Sequence, residues 1–127
     1  MTTNSGIRAI VAGHGQFAPG LISAVEQITG LGAQFHPISN AGLGAADIEA
    51  MIRAAVAETG AKVVFTDLPA GSCTMAVRRM AKLGADVTLV TGVTLPILLA
   101  FATGSSVEEA VARGRESIVI SGESRGG

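Results

Sequence analysis

Short unbroken apolar runs alternate along the chain with longer stretches in which apolar residues recur every three or four positions. "IRAIVA" (7–12), "AKVVFTD" (61–67) and "ADVTLVTG" (85–92) are of the first kind and predict strands buried on both faces. "AQFHPI" (33–38) is a weaker, shorter strand. Between them the period changes. "LISAVEQITG" places Leu21, Ile22, Val25 and Ile28 at helical spacing and stops at Gly30. "AADIEAMIRAAVAETG" puts Ile48, Met51, Ile52, Ala55 and Val56 on one helical face and ends at Gly60. "CTMAVRRMAKLG" predicts a third helix, with Met75 and Met80 read as core positions. "VTLPILLAFATG" starts a fourth, with Pro96 tolerated in the first turn. "SSVEEAVARGRES" is a fifth, with Ser105 or Ser106 as cap and Glu108 and Glu109 at its positive end. "SIVI" (117–120) predicts a last β segment.

Strands alternating with helices give the α/β class, a single doubly wound, mainly parallel sheet with helices on both faces. "SIVI" before a polar tail suits an antiparallel edge strand or one exchanged between two copies. The expectation is one domain over residues 1–127, with tails at 1–5 and 121–127.

Composition narrows the function classes. The 127 residues are 48% hydrophobic and 15% charged, with a net charge of −1 and no Trp or Tyr. Nothing in this balance resembles the basic excess of a nucleic-acid binder. Arg78, Arg79 and Lys82 read as the solvated face of one helix. Cys73 is the only cysteine, which removes intramolecular disulfides and cysteine-cluster metal sites and fits a reducing compartment. "MTTNSGIR" lacks a signal peptide's apolar core, and no apolar run reaches the roughly 18 residues of a membrane span. A cytoplasmic location is the expectation.

Candidate chemistry lies where strands end, because ligands in open α/β sheets bind beyond the strands' carboxyl ends. The first strand delivers His14, held between two glycines in "GHG"; the second strong strand delivers Asp67, then Gly71 and Ser72; the third delivers Thr91 and Gly92. If the strands carrying His14 and Asp67 are neighbours, the carboxylate can accept the proton of one ring nitrogen and leave the other as nucleophile or base. The "AGS" loop leads into a helix whose free N–H groups suit a phosphate. Gly71 permits close approach, and the Ser72 hydroxyl can donate. These parts suit transient capture of a phosphoryl group on His14. Blander readings stand beside this one: Asp67 as a turn cap, Ser72 as a helix cap, Cys73 as a buried bystander, His36 as structural or exposed. Neither glycine loop matches the dinucleotide or P-loop pattern.

The same segments carry a family resemblance. "AIVAGHGQFAPGLISAVEQITG" resembles the opening of the enzyme IIA domain of the mannose-type (mannose/fructose/sorbose/N-acetylgalactosamine) family of the bacterial sugar phosphotransferase system (PTS). "VVFTDLPAGSCTMAVRRM", "VTGVTLPILLAF" and "EEAVARGRESIVI" resemble its later segments, in order, over nearly the whole chain. The resemblance implies a doubly wound fold in a homodimer that exchanges its last strand. It implies that His14 accepts a phosphoryl group from the histidine-containing phosphocarrier protein and passes it to an enzyme IIB, whose transporter links the relay indirectly to the membrane. Asp67 would orient and support His14. Ser72, Gly71 and Gly15 would help hold the phosphoryl oxygens, the glycines beside His14 clearing space for a partner's histidine. No metal or other cofactor is implied. Two segments depart from the pattern: Ala70-Gly71-Ser72-Cys73 stands where Gly-Gly-Ser/Thr-Pro is usual, and Thr94 where Asn is usual. The alternatives are a phosphocarrier serving a dihydroxyacetone-kinase-type system, a regulatory or binding module on the same scaffold, and a Cys73–His14 hydrolase.

Overall fold

The computed structural model describes residues 6–122, which fall into two compact units, Met1–Val93 and Thr94–Gly127. The first unit holds a parallel sheet of four strands: β1 (Ala9–Gly13), β2 (Phe35–Ser39), β3 (Val63–Thr66) and β4 (Thr88–Val90). Their spatial order is β2-β1-β3-β4. Ile10 is in register with His36 on one side and Val64 on the other. β1 is central and every one of its residues is buried, which is why it reads as an unbroken apolar run. β2 is an edge strand. It tolerates Pro37, whose missing N–H costs nothing where no further strand is paired.

Three helices connect these strands: α1 (Phe17–Thr29), α2 (Ala45–Thr59) and α3 (Ser72–Lys82), with a 3-10 turn at Gly32–Gln34. Helices α2 and α3 cover one face. Ile48 and Ile52 from α2 and Cys73, Val77 and Met80 from α3 join Ile10, Ala12, Ile38 and Val64 in one core. Strand alternation turns Val11, Phe35 and Phe65 to the opposite face, where the right-handed β1–α1–β2 crossover places α1. The Phe35 and Phe65 rings meet edge-on there, 6.5 Å apart. Helices on both faces of a parallel sheet are the arrangement expected from the pattern. Gly30 and Gly60 end α1 and α2 in left-handed conformations, φ +74° and +75°.

Two expectations for this unit are corrected. Met80 is 1% exposed but Met75 is 53% exposed. Five residues correspond to about 140° around an α-helix, so the two cannot share a buried face. Ser72 does not cap α3: Gly71 is the N-cap residue, and Ser72 is the first helical position.

The second unit pairs α4 (Leu95–Ala102) with α5 (Val107–Glu116). Pro96 sits in the first turn of α4, as its ring allows. Ser106 is the cap of α5 and forms a reciprocal capping box with Glu109: Glu109 N–H donates to Ser106 Oγ (3.1 Å), and Ser106 N–H donates to Glu109 Oε1 (2.9 Å). Gly114 lets the helices close up, since a Cβ there would lie 2.3 Å from Ile97 Cγ1. Residues 117–120 form no strand within the single chain. Ile118, Val119 and Ile120 are 73, 74 and 103% exposed, because an extended segment becomes a strand only against a ladder partner. Of the expected tails at 1–5 and 121–127, residues 1–5 and 123–127 lie outside the described residues.

Candidate active site at the carboxyl ends of β1 and β3

β1 and β3 are paired, and the strand order reverses direction between them. Their carboxyl ends therefore form the switch point at which open α/β sheets bind ligands. His14 follows β1 and Asp67 follows β3, so the adjacency that the sequence left conditional is realised.

One carboxylate oxygen holds His14 twice. Asp67 Oδ2 accepts from the His14 backbone N–H at 2.9 Å and lies 2.8 Å from Nδ1. Burial alone would raise the Asp67 carboxyl pKa. The hydrogen bonds from the His14 side chain and backbone, with the attraction of the ring, outweigh burial and hold it below its ordinary value. An ionised carboxylate only accepts, so Nδ1 is the protonated nitrogen and the free lone pair of the neutral ring is on Nε2. The Asp67 side chain is 10% exposed and that of His14 53%. The carboxylate is thus an internal anchor and the imidazole a displayed group.

Of the three glycines around His14, only Gly13 departs from its expected part. A Cβ on Gly13 would lie 2.8 Å from Phe17 Cδ2 and 3.0 Å from Asp67 Cγ and Oδ2, so the space beside Gly13 is filled from within by the carboxylate. Gly15 has φ +52°, a left-handed turn conformation, and a Cβ there would meet nothing within 4 Å. The open space beside the histidine lies over Gly15, not over Gly13. Gly71 gives close approach to the histidine itself: its Cβ would be 3.2 Å from His14 Cε1. The start of α3 therefore abuts the imidazole. No side chain caps that helix end, so its first N–H groups remain available to an anion.

Residues missed in the sequence hold this loop. Thr66 and Thr74 are fully buried, and their hydroxyl oxygens are 2.6 Å apart. Thr74 Oγ1 also donates to the Leu68 carbonyl. Thr74, in the first turn of α3, thereby ties down the residues on either side of Asp67. Asn40, just after β2, donates from Nδ2 to Ser72 Oγ at 2.8 Å. Cys73 is buried, and burial pushes its thiol up to about 11, the nearby Asp67 carboxylate adding to the rise. A thiol in that state is a poor nucleophile, which sets the hydrolase alternative aside. A cleft of about 600 Å³ opens between the starts of α2 and α3; Ser72, Met75 and Arg79 line it and His14 does not.

The chain has matches among known proteins. The family model for EIIA-man, the PTS system fructose IIA component, matches residues 8–119. The chain belongs to the EIIA-man family. Solved structures agree on the fold. A PTS IIA protein associated with the fucose utilization operon of Streptococcus pneumoniae superposes with a TM-score of 0.81 at 22% identity, covering 94% of this chain and 96% of that one. A putative phosphoenolpyruvate-dependent sugar PTS permease from Klebsiella pneumoniae gives 0.73 at 28% identity, covering 91% and 93%. The mannose/sorbose-specific IIA subunit from Enterococcus faecalis gives 0.77 at 18% identity, covering 94% and 97%. A comparison with curated proteins finds no significant match. As an EIIA-man member the chain is a phosphotransferase-system component. Among the described residues no helix is long and apolar enough to cross a membrane.

Proposed function

We propose that this EIIA-man protein is a phosphohistidine relay: His14 takes a phosphoryl group from the histidine-containing phosphocarrier protein and passes it to an enzyme IIB. The observation that carries this reading is the double hold of Asp67 Oδ2 on His14, which leaves Nε2 as a displayed nucleophile. In the first step the Nε2 lone pair attacks the donor's phosphorus. The new Nε2–P bond forms as the donor's N–P bond breaks, and the bonding pair returns to the donor imidazole. His14 keeps its Nδ1 proton, so its phosphorylated ring is cationic, and the Asp67 carboxylate stabilises it. The second step is the same exchange toward a histidine of enzyme IIB.

Ser72 and the uncapped start of α3 are the candidate supports for the phosphoryl oxygens, with Gly71 admitting the ring and Gly15 leaving its approach open. Catalysis on this reading is orientation and charge stabilisation, with donor and acceptor nearly in line. A protein donor suits a half-exposed ring that lies outside the neighbouring cleft, with exposed Leu68 also close to Gly71. The test is incubation with the phosphocarrier protein, its kinase and phosphoenolpyruvate. Acid-labile, base-stable label is expected on the wild type and none on His14→Ala; an unlabelled wild type, or an equally labelled variant, refutes it.

The homodimer is part of the same reading. Pro37 has no N–H to offer along the β2 edge, which leaves β4 as the edge suited to a further strand. The exposed apolar segment 118–120 of a second copy is the proposed occupant. Sedimentation of the full chain against a chain ending at residue 116 tests this; an unchanged mass overturns it.

A further inference from the structure

We infer that Asn40 is a positioning residue that turns the Ser72 hydroxyl into a hydrogen-bond donor for the phosphoryl group on His14; this rests on the phosphohistidine reading above. Asn40 is anchored through its backbone. Its N–H donates to the Gly13 carbonyl at 3.1 Å, extending the β1–β2 ladder by one rung, and its carbonyl accepts from Leu43 N–H at 3.1 Å. The side chain leaves this fixed point and donates from Nδ2 to Ser72 Oγ at 2.8 Å. Asn40 thus joins the end of β2, the residue before His14 and the first residue of α3.

The polarity of this bond matters. An amide nitrogen only donates, so Ser72 Oγ is the acceptor and its own proton must go to another group. Ser72 is not engaged as a helix cap, because Gly71 holds that position and no side chain caps α3. The adjacent Cys73 offers a protonated thiol, a weak acceptor that a charged phosphoryl oxygen outcompetes. Gly71, one residue before Ser72, lies against His14 Cε1. The donor hydroxyl therefore belongs to the residue next to the glycine that abuts the ring, and polarisation by Asn40 strengthens its donation.

The test is a double-mutant cycle on the initial rate of His14 labelling by the phosphocarrier protein. Ser72→Ala is expected to lower the rate by about tenfold or more, as loss of one aimed donor does. Asn40→Ala is expected to lower it severalfold, and Asn40→Ala in the Ser72→Ala background to lower it no further. Asn40→Asp is expected to be slower than Asn40→Ala, because a carboxylate captures the Ser72 proton and sets a negative charge near the phosphoryl group. A merely structural asparagine would reduce the rate by the same factor with or without the serine hydroxyl, and that result overturns the proposal. A wild-type rate for Asn40→Ala alongside a slow Ser72→Ala overturns it too. A wild-type rate for Ser72→Ala removes both the Ser72 role and the proposal but leaves the phosphohistidine intact, whereas an unlabelled wild type refutes the relay itself.

Discussion

The two loops that meet at the site are built in opposite ways. The loop after β1 is short, rich in glycine and open, and it displays a half-exposed imidazole. The loop after β3 is anchored from below by two buried threonines and presents a nearly buried carboxylate. One loop exposes the reactive group and the other fixes its direction. On the proposed relay the transferred group has to be reachable by two successive partners, which matches rigidity supplied from the buried side.

That division predicts unequal consequences. The largest effect, short of losing His14, is expected at Asp67. Asp67→Asn keeps an acceptor of the same shape but removes the charge that stabilises a cationic phosphorylated ring. Its rate of labelling is expected to fall by about a hundredfold or more. A fall of only twofold or threefold would mean that Asp67 serves position alone and that the division of labour is wrong.

Next comes Gly13→Ala, a change on the display loop that acts on the anchor. Its methyl would press on Phe17 and on the Asp67 carboxylate, with a cost of about 1–3 kcal/mol in stability. Displacing the carboxylate should also slow labelling by about tenfold, in line with loss of a well-aimed charge contact. Thermal melts and initial rates on the same samples check both. Full activity in a destabilised variant would uncouple Gly13 from the anchor.

Thr74→Val is smaller still in its effect on labelling, because it leaves the Asp67–His14 contacts themselves in place. It strips the Leu68 carbonyl and the buried Thr66 hydroxyl of a partner, at about 1–3 kcal/mol for the unsatisfied groups, while Thr74→Ser keeps the hydroxyl and recovers most of that loss. Equal melting temperatures for the two variants would remove the threonine clamp from the account.

The same contrast explains what the sequence revealed. His14 and Asp67 were legible because each ends an apolar run, and strand ends on a parallel sheet point to one edge whatever the strand order. The helix stops at Gly30 and Gly60 were legible because a left-handed cap has a local residue preference. Asn40 was not: it lies 32 residues from Ser72, in a loop of ordinary composition, and only the pairing of β2 with β1 brings it there. Thr66 and Thr74 were hidden in the same way, since a hydroxyl in an apolar run gives no sign of whether a partner waits above it. Met75 was misjudged by counting the apolar residues of α3 without their angle around the helix, whereas Met80 is buried as expected. Local preference thus pointed to the two groups that meet at the strand ends, and tertiary pairing determined the residues that hold them.

The gentlest perturbation of the comparison is acid. The Asp67 carboxyl is held below its ordinary value, so the folded state favours its ionised form more than the unfolded chain does. Its contribution to stability is therefore complete above the unfolded carboxylate pKa, near 3.9, and is lost as pH falls through the lower folded value. The anchor then weakens its hold on both Nδ1 and the His14 backbone N–H, while the left-handed turn at Gly15 itself needs no charge. Denaturant midpoints measured from pH 6 down to pH 2 should fall more steeply for the wild type than for Asp67→Asn, with the difference developing below about pH 4. Parallel curves through that window would show that His14 does not depress the carboxyl in solution. The anchor would then rest on the threonines and on Gly13 alone.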